Sequence, residues 1–190
     1  MKHFLKGDIV KPRLCIVGGS QIVSIAKKVA AEFEDQADFL YIPRQLDGAL
    51  LYLRRLEGDV DIALAGPSTR RMCSNELKIP VISFRPTFPD VIRAIQSAQR
   101  IHDRIAICLS RDDRDFDIAL LSQVLEVSIH PFYCDTSEEY EKACAAAKKK
   151  DYRVVIGGSF TVHAARTMGL TGILLYKGRD MIRTAVKSAI

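Results

Sequence analysis

Short apolar runs alternate along this chain with longer segments in which apolar residues recur every three or four positions. The runs are rich in Val, Ile, Leu and Phe, which is typical of parallel strands buried on both faces. Because the intervening segments have helical length, the pattern predicts a strand–helix repeat of about eight units. The predicted strands lie near residues 13–18, 37–42, 60–65, 80–85, 104–109, 128–134, 153–157 and 171–176.

Helix starts between these runs carry recognisable capping residues. Ser20 stands just before apolar residues at helical spacing, so we expect it to cap the first helix. Pro89 and Asp90 suit the first turn of the fourth helix, and Thr136 with Glu139 predicts a capping box for the sixth.

Two of the predicted strands end in the same short turn. Gly18-Gly19-Ser20 follows the first strand, and Gly157-Gly158-Ser159 follows the seventh, and in both turns we expect the serine to cap the helix that follows. Such a junction places backbone N–H groups at a helix N-terminus on the carboxyl edge of a parallel sheet, where small and often anionic ligands bind. One copy would be weak evidence, but one copy in each half predicts two lobes that face each other across a cleft.

A third junction adds side chains suited to an anion. Gly66 is followed by Pro67, by the Ser68 and Thr69 hydroxyls and by Arg70. Taken alone, this segment is also what a helix start with an early proline looks like. The next predicted strand leads into Arg85 and Thr87. Adjacent strand ends lie about 5 Å apart, so these groups would converge on one ligand if the two strands are neighbours.

The repeat allows one eight-stranded sheet or two sheets of four strands, and the repeated turn favours two. The predicted fold class is therefore α/β, with two similar Rossmann-like (flavodoxin-like) lobes, parallel sheets and a cleft between them in a chelatase-like arrangement. We expect residues 12–102 to form the first lobe and residues 103–177 the second. The last helix, within residues 178–190, is expected to return and pack on the first lobe.

The net charge of +5 and the pI near 9.0 bear on the partner. A solvated basic surface explains these values, and so does an acidic ligand. Several basic residues follow predicted strands, which suits a small organic acid in the cleft better than a nucleic acid: Arg44, Arg70, Arg85, Arg111 and Lys177.

The five cysteines are odd in number and show no metal-ligand spacing, which predicts buried thiols in a reducing compartment and neither a metal nor a cofactor. No apolar run reaches the roughly 20 residues of a membrane span. The first residues lack the long apolar segment of a secretory signal. We therefore expect a cytoplasmic protein that does not contact a membrane.

Enzymatic motifs are absent from the sequence. There is no dinucleotide fingerprint and no P-loop, and the four histidines are scattered. His163 lies one turn into the helix after the second glycine turn, a position more typical of a polar surface residue than of a ligand contact. A two-lobed racemase with Cys73 and Cys134 as paired acid and base is the enzymatic alternative, although Cys73 lies too far along its helix for that role. We expect a binding module rather than an enzyme.

Three segments carry a resemblance to a known family. Asp59–Gly66, the segment from Ile79 through Val91, and the segment from Val155 to Arg183 resemble the amino-terminal sensor domain of the propionate-catabolism activators. The resemblance extends from about Arg13 to the end of the chain. Its specificity lies in the order of these segments, because each alone is an ordinary strand–helix unit.

This resemblance implies a cytoplasmic ligand-sensing domain of a bacterial activator that works with the sigma-N RNA polymerase. Relatives continue into an AAA+ ATPase and a helix-turn-helix DNA-binding domain, and their best-known ligand is 2-methylcitrate. Pro67, which lacks an N–H group, and Arg85, where relatives commonly carry Lys, are departures that bear on ligand identity. A free-standing binding protein is the alternative to a sensor, and a homodimer is left open.

Together these observations predict a ligand pocket and a means of signalling. The last helix is expected to continue into the following domain and to convert lobe closure into movement of that domain. The predicted ligand-binding residues are Gly18, Gly19, Ser20, Gly66, Ser68, Thr69, Arg70, Arg85, Thr87, Gly157, Gly158 and Ser159.

Overall fold

A computed structural model describes residues 10–175 and 178–190, so Lys177 lies outside the described residues. Within these ranges eight strands form, each within two residues of its predicted position. They are β1 (Arg13–Val17), β2 (Asp38–Ile42), β3 (Ile62–Ala65), β4 (Val81–Ser83), β5 (Arg104–Leu109), β6 (Ser128–Tyr133), β7 (Val154–Gly157) and β8 (Thr171–Leu174).

The strands form two separate parallel sheets. The first has the order β2-β1-β3-β4 and the second the order β6-β5-β7-β8. The pairing registers correspond as well, since Ile16 pairs with Leu64 in one sheet and Ile107 with Ile156 in the other. The prediction of a two-lobed α/β fold with parallel sheets is therefore confirmed.

In the described part of the chain, eight α-helices pack on the two sheets. They are α1 (Ser20–Ala30), α2 (Leu46–Arg55), α3 (Pro67–Ser74), α4 (Phe88–Gln99), α5 (Ile118–Val124), α6 (Ser137–Lys149), α7 (Ser159–Thr167) and α8 (Arg179–Ala189). Side chains alternate across each strand, so each sheet has two apolar faces. Leu14 and Ile16 contribute to the core under α1 and α8, whereas Cys15 and Val17 face the core under α2 and α3. None of the described helices is both long and apolar enough to cross a membrane.

Each sheet is covered in part by a helix that follows the last strand of the other sheet. Helix α4 follows the last strand of the first sheet, yet Val91 and Ile95 pack in the core of the second sheet with Ile105. Helix α8 follows the last strand of the second sheet, and Ile182 packs in the core of the first. The expected boundary at residue 102 kept α4 with the first sheet. The structure instead moves it to the second, because its buried face meets β5, β7 and β8.

The strand order determines where a crevice forms at the carboxyl edge of each sheet. In the first sheet the chain passes from β1 to β2 on one side and then to β3 on the other, so the connections diverge between β1 and β3. In the second sheet they diverge between β5 and β7. Crevices at the carboxyl ends of such strands are the usual ligand sites of open α/β sheets.

Candidate functional site

The carboxyl edges of the two sheets face each other, and the two predicted glycine turns meet there. Gly19, after β1, lies against Ser159, after β7: a Cβ atom built on Gly19 would be 2.6 Å from the Ser159 Cβ and 2.7 Å from its Oγ. Real Cβ atoms essentially never come so close. The contact between the two lobes at this point therefore requires glycine at position 19.

A small cavity lies beside this contact, and we call it the inner cavity. It has a volume of about 60 Å³ and is lined from both lobes. The first lobe contributes Gly66, Ser68 and Thr69 together with the Gly18-Gly19 turn, and the second contributes Tyr140 and the first turn of α7. A ligand that fills the inner cavity would touch both lobes at once.

Hydroxyl groups dominate the polar surface of the inner cavity. Ser68 donates to the carbonyl oxygen of Cys134 at 3.2 Å and accepts from Tyr140, whose hydroxyl lies 2.7 Å away. Both bonds join the lobes. Burial raises the pKa of Tyr140 far above its usual value, so the phenol remains protonated and able to donate. Thr69 accepts from the backbone N–H of Leu46 at 3.1 Å, which leaves its own proton free to donate.

Thr161 also lines the inner cavity, and it is fully buried. Its Oγ1 atom has no hydrogen-bond partner within the described part of the chain. A buried hydroxyl without a partner costs about 1–3 kcal/mol, so such a group indicates an interaction made with something else.

Leu46 connects the inner cavity to the core of the second lobe. Its φ angle is +49°, a left-handed conformation that non-glycine residues adopt with strain. Its side chain is 3% exposed and packs in the cluster that contains Tyr140 and Cys134. The conformation thus inserts a residue of the first lobe into the second, next to the inner cavity.

Four helices begin at the inner cavity without a side-chain cap. The residues before α1, α2, α3 and α7 are Gly19, Gln45, Gly66 and Gly158, and none makes a capping hydrogen bond. Ser20 and Ser159, each of which was predicted to cap its helix, are instead the first residues inside their helices. The N–H groups of these first turns have no partners within the helix.

A larger space adjoins the inner cavity and opens outward, and we call it the outer cavity. It has a volume of about 470 Å³ and shares Gly19, Gln45 and Ser159 with the inner cavity. Three of its other lining residues bear basic side chains, namely Arg44, His163 and Arg166. No Asp or Glu of residues 10–175 and 178–190 lines either cavity, so the surroundings favour an anion.

Arg85 does not reach these cavities. Its Nε donates to Asp113 Oδ1 at 3.0 Å and its Nη2 to Asp115 Oδ1 at 2.8 Å, so its fork is used in binding the second lobe. Burial raises the pKa of the Asp113 carboxyl to about 6, even though Arg85 acts in the opposite direction. β3 and β4 are neighbours, as the predicted convergence required, but the nearby carboxylates attract the guanidinium away from the cavity.

Arg70 and Arg71 belong to the same group of charges. Asp112 accepts from Arg71 at 2.7 Å and lies 3.5 Å from Arg70. These ion pairs join α3 to the segment after β5, away from the two cavities. Arginines from one lobe and aspartates from the other thus form a second contact between the lobes.

The structure brings together part of the predicted site. Arg70, Arg85 and Thr87 do not line the inner or the outer cavity, and Thr87 instead caps α4. Gly157 does not line a cavity but packs closely against Thr161: a Cβ on this glycine would lie 2.6 Å from the Thr161 Cβ. The predicted residues that do line a cavity are Gly18, Gly19, Ser20, Gly66, Ser68, Thr69, Gly158 and Ser159.

Other lining residues carried no recognisable sequence signal. Tyr140 and Leu46 reach the inner cavity only because the lobes meet, and Thr161 lies two residues after the predicted turn. Arg44 and His163 were noted in the sequence, His163 as a surface residue. Both line the outer cavity, together with Arg166.

The cysteines lie in the core. All five are buried, and none lines either cavity. Cys73 and Cys134 belong to different apolar clusters, and burial raises the pKa of Cys73 to about 11. This arrangement does not suit a pair of thiols that exchange protons with one substrate. Within residues 10–175 and 178–190, no group of three His, Cys, Asp or Glu side chains is placed to hold a metal ion.

Comparisons with known proteins extend these observations. A family model described as propionate catabolism activator matches residues 33–190. The crystal structure of an NtrC family transcriptional regulator from Clostridium acetobutylicum has the same fold, with a TM-score of 0.86 and 20% identity over 95% of each chain.

Two other solved structures are more weakly similar. A LacI-family putative transcription repressor from Corynebacterium glutamicum has a TM-score of 0.45 and 12% identity over 93% of this chain and 89% of that one. An aspartate racemase homologue from Pyrococcus horikoshii OT3 has a TM-score of 0.36 and 10% identity over 93% and 98%. Similarities of this strength do not distinguish a regulator from an enzyme.

Proposed function

We propose a function from one premise: this chain belongs to the propionate catabolism activator family. Membership makes it a sensor domain of a transcriptional activator. Our proposal is that it acts in the cytoplasm, binds a small organic acid between its lobes and regulates an AAA+ ATPase and a DNA-binding domain that follow it in the full-length protein. It would do so as a binding module, without catalytic turnover.

One observation carries this proposal: the walls of the inner cavity come from both lobes. Ser68 and Thr69 belong to one lobe, while Tyr140 and Thr161 belong to the other. A ligand with contacts on both sides binds the closed arrangement more tightly than an open one. Such a ligand shifts the population toward closure, and a sensor needs this difference in affinity.

The charge around the cavities supports an acidic ligand. Arg44 and Arg166 line the outer cavity, and the N-termini of four helices border the inner one. A di- or tricarboxylate suits these surroundings, and 2-methylcitrate is the compound to test first. The proposed ligand-binding residues are the predicted ones that line a cavity, with Arg44, Gln45, Tyr140, Thr161, His163 and Arg166 added.

The helix exchange supports a route from the ligand to the following domain. The proposed moving units are the first sheet with α1, α2, α3 and α8, and the second sheet with α4 to α7. Helix α8 follows the last strand of one unit and packs on the other, where Arg183 donates to Glu32, in the turn just after α1, at 2.8 Å. A change in the angle between the units would therefore alter the direction of the chain that follows α8.

Calorimetry with a panel of acids tests the proposal. The panel contains 2-methylcitrate, citrate, malate, succinate and malonate, with glycerol as an uncharged compound. The variants Arg44→Gln and Arg166→Gln should weaken binding of the preferred acid by about tenfold, because each removes a charge-assisted contact. Arg153→Gln is the matched control, since Arg153 precedes β7 at the opposite end of the strand from the cavities.

Two results would count against the proposal. If the wild-type protein binds none of the acids, it is not a sensor of these organic acids. Conversion of any acid into product in stoichiometric excess over the protein would show an enzyme instead.

A further inference from the structure

We infer that the inner cavity is a carboxylate subsite in which helix N-termini and hydroxyl groups, rather than an arginine, bind the charged group. This inference rests on the proposed function and specifies which part of the ligand lies where. One carboxylate of the acid enters the inner cavity, and the remainder of the molecule, with a second acidic group, occupies the outer cavity.

The distribution of helix caps is the first observation. Helices α4, α5 and α6 are capped by the side chains of Thr87, Asp117 and Thr136, and α4 and α6 have complete capping boxes. The four helices that begin at the inner cavity have no such cap. Helix α8, which begins beside Asp90 and not at this cavity, is the other described helix without a side-chain cap. Apart from the Leu46 N–H, which donates to Thr69, and Pro67, which has no N–H, the first-turn donors of the four helices have no partner within the helix and can bind an acceptor from outside the protein. A partial positive charge accompanies each N-terminus.

Thr161 is the second and independent observation. It lies in the first turn of α7, is fully buried and has an Oγ1 atom without a partner among the described residues. Since Gly157 packs tightly behind it, the side chain has little freedom to turn elsewhere. A hydroxyl held in this way beside the N–H groups of residues 159–161 is a fixed donor that lacks an acceptor.

Two more hydroxyl groups of the inner cavity, those of Thr69 and Tyr140, can donate to a ligand. Thr69 has a free hydroxyl proton because its oxygen already accepts from Leu46. Tyr140 donates to Ser68 at 2.7 Å and could donate to a ligand oxygen in its place. A carboxylate, which only accepts hydrogen bonds, matches such a set of donors.

The volumes divide the ligand between the cavities. The 60 Å³ of the inner cavity is enough for a few water-sized groups, which is about one carboxylate with its neighbouring carbon. The outer cavity is several times larger, at about 470 Å³, and Arg44 and Arg166 can face a second acidic group there. The ligand class is thus an acid with two separated carboxylates, of which one is bound away from any arginine.

The variant Thr161→Val tests the subsite, because valine keeps the shape of threonine and removes its hydroxyl. The probe is the tightest-binding acid of the panel, titrated by calorimetry at low salt and in 0.5 M KCl. Loss of one hydrogen bond to a charged group should weaken binding about tenfold to a hundredfold. Thr161→Ser should restore binding, and Thr167→Val is the control on the exposed last turn of α7. The loss should persist in high salt, since buried contacts are weakly screened.

Amide chemical shifts provide a second measurement on the unaltered protein. Binding of the acid should move the N–H resonances of Ser159, Phe160 and Thr161 downfield. If Thr161→Val binds like the wild type, or if these amides do not move, the subsite is wrong while the proposed acid sensor stands. If the wild type binds no acid at all, the proposed function fails and this inference fails with it.

Discussion

Arg85 of the first lobe donates its Nε–H to Asp113 of the second lobe, at 3.0 Å from Oδ1. The two side chains differ in exposure, since Asp113 is fully buried and Arg85 is 43% exposed. The second oxygen of Asp113 has no partner among the described residues. Because the buried Asp113 carboxylate has Arg85 as its one charged partner among the described residues, this contact between the lobes depends on Arg85.

We predict that Arg85→Gln destabilises the protein by about 1–3 kcal/mol, because it leaves a buried charge without its partner. Asp113→Asn should cost much less, since the amide oxygen can still accept from Arg85. Urea unfolding of both single variants and of the double variant forms a double-mutant cycle. Additive effects in this cycle would show that the two side chains are not coupled.

We predict a pH dependence that arises from Asp113. Its pKa is raised to about 6 in the folded protein, while in the unfolded chain it returns to about 4. Between these values the folded state binds more protons, so the stabilisation from this group is complete below pH 4 and is lost as the pH rises through 6. The free energy of unfolding should fall by up to about 3 kcal/mol across this window.

Unfolding of Asp113→Asn from pH 4 to 7.5 isolates that contribution. The variant should lack the decrease, so its curve and that of the wild type should diverge. Asp115→Asn is the control, because Asp115 binds the same arginine but is 71% exposed. Parallel curves for wild type and Asp113→Asn would contradict the prediction.

We predict that Gly19→Ala prevents the lobes from closing without unfolding either one. The backbone of Gly19 suits alanine, with φ −62° and ψ 162°, but the new methyl group would lie 2.6 Å from the Ser159 Cβ. Affinity for the acid should fall by more than tenfold, and the radius of gyration from small-angle scattering should increase.

Gly66→Ala is the matched control for lobe closure, measured by small-angle scattering and not by affinity, because Gly66 itself lines the inner cavity. Its backbone angles are nearly the same, and a methyl group there would meet only Phe84, at an ordinary distance of 3.7 Å. The double variant Gly19→Ala with Ser159→Gly should recover closure. Tight binding by Gly19→Ala alone would show that the contact between the turns is unimportant.

We predict that Ile182→Ala lowers the free energy of unfolding by about 2–5 kcal/mol, because it leaves a cavity in the core between α8 and the first sheet. Ile182 is fully buried, whereas Thr184 on the same helix is exposed. Thr184→Ala should therefore change stability little in the same urea titration. Equal stability of the two variants would mean that α8 is not part of the core.

The strands could be predicted because their signal is local. A buried parallel strand is a run of apolar residues, and Leu14-Cys15-Ile16-Val17 shows this without any knowledge of the partner strands. The capping box at Thr136 is local as well, whereas Thr87, predicted as a ligand contact, caps α4 instead. The same reasoning was less successful for Ser20, because a glycine in extended conformation can occupy the cap position without a side-chain bond.

The candidate site could be predicted only in part, since it depends on how the lobes meet. A glycine turn after a strand indicates the carboxyl edge of a sheet whatever the position of the other lobe, so Gly19 and Ser159 could be predicted as site residues. The fate of Arg85 depends on Asp113, 28 positions away, and the place of Tyr140 depends on Ser68, 72 positions away. Local sequence patterns do not predict contacts between residues so far apart in the chain. Nor do they show that α4 crosses to the second sheet.

The exchange of α4 and α8 limits the ways in which the two halves can move. The chain crosses between them twice, once before α4 and once before α8, and the two crossings are close because Gly178 lies against the carboxylate of Asp90. Two neighbouring connections restrain sliding and twisting, and the easiest remaining motion is rotation about the line that joins them. In the proposed sensor, a ligand in the cleft would therefore act mainly through rotation about this line, and α8 begins next to that line.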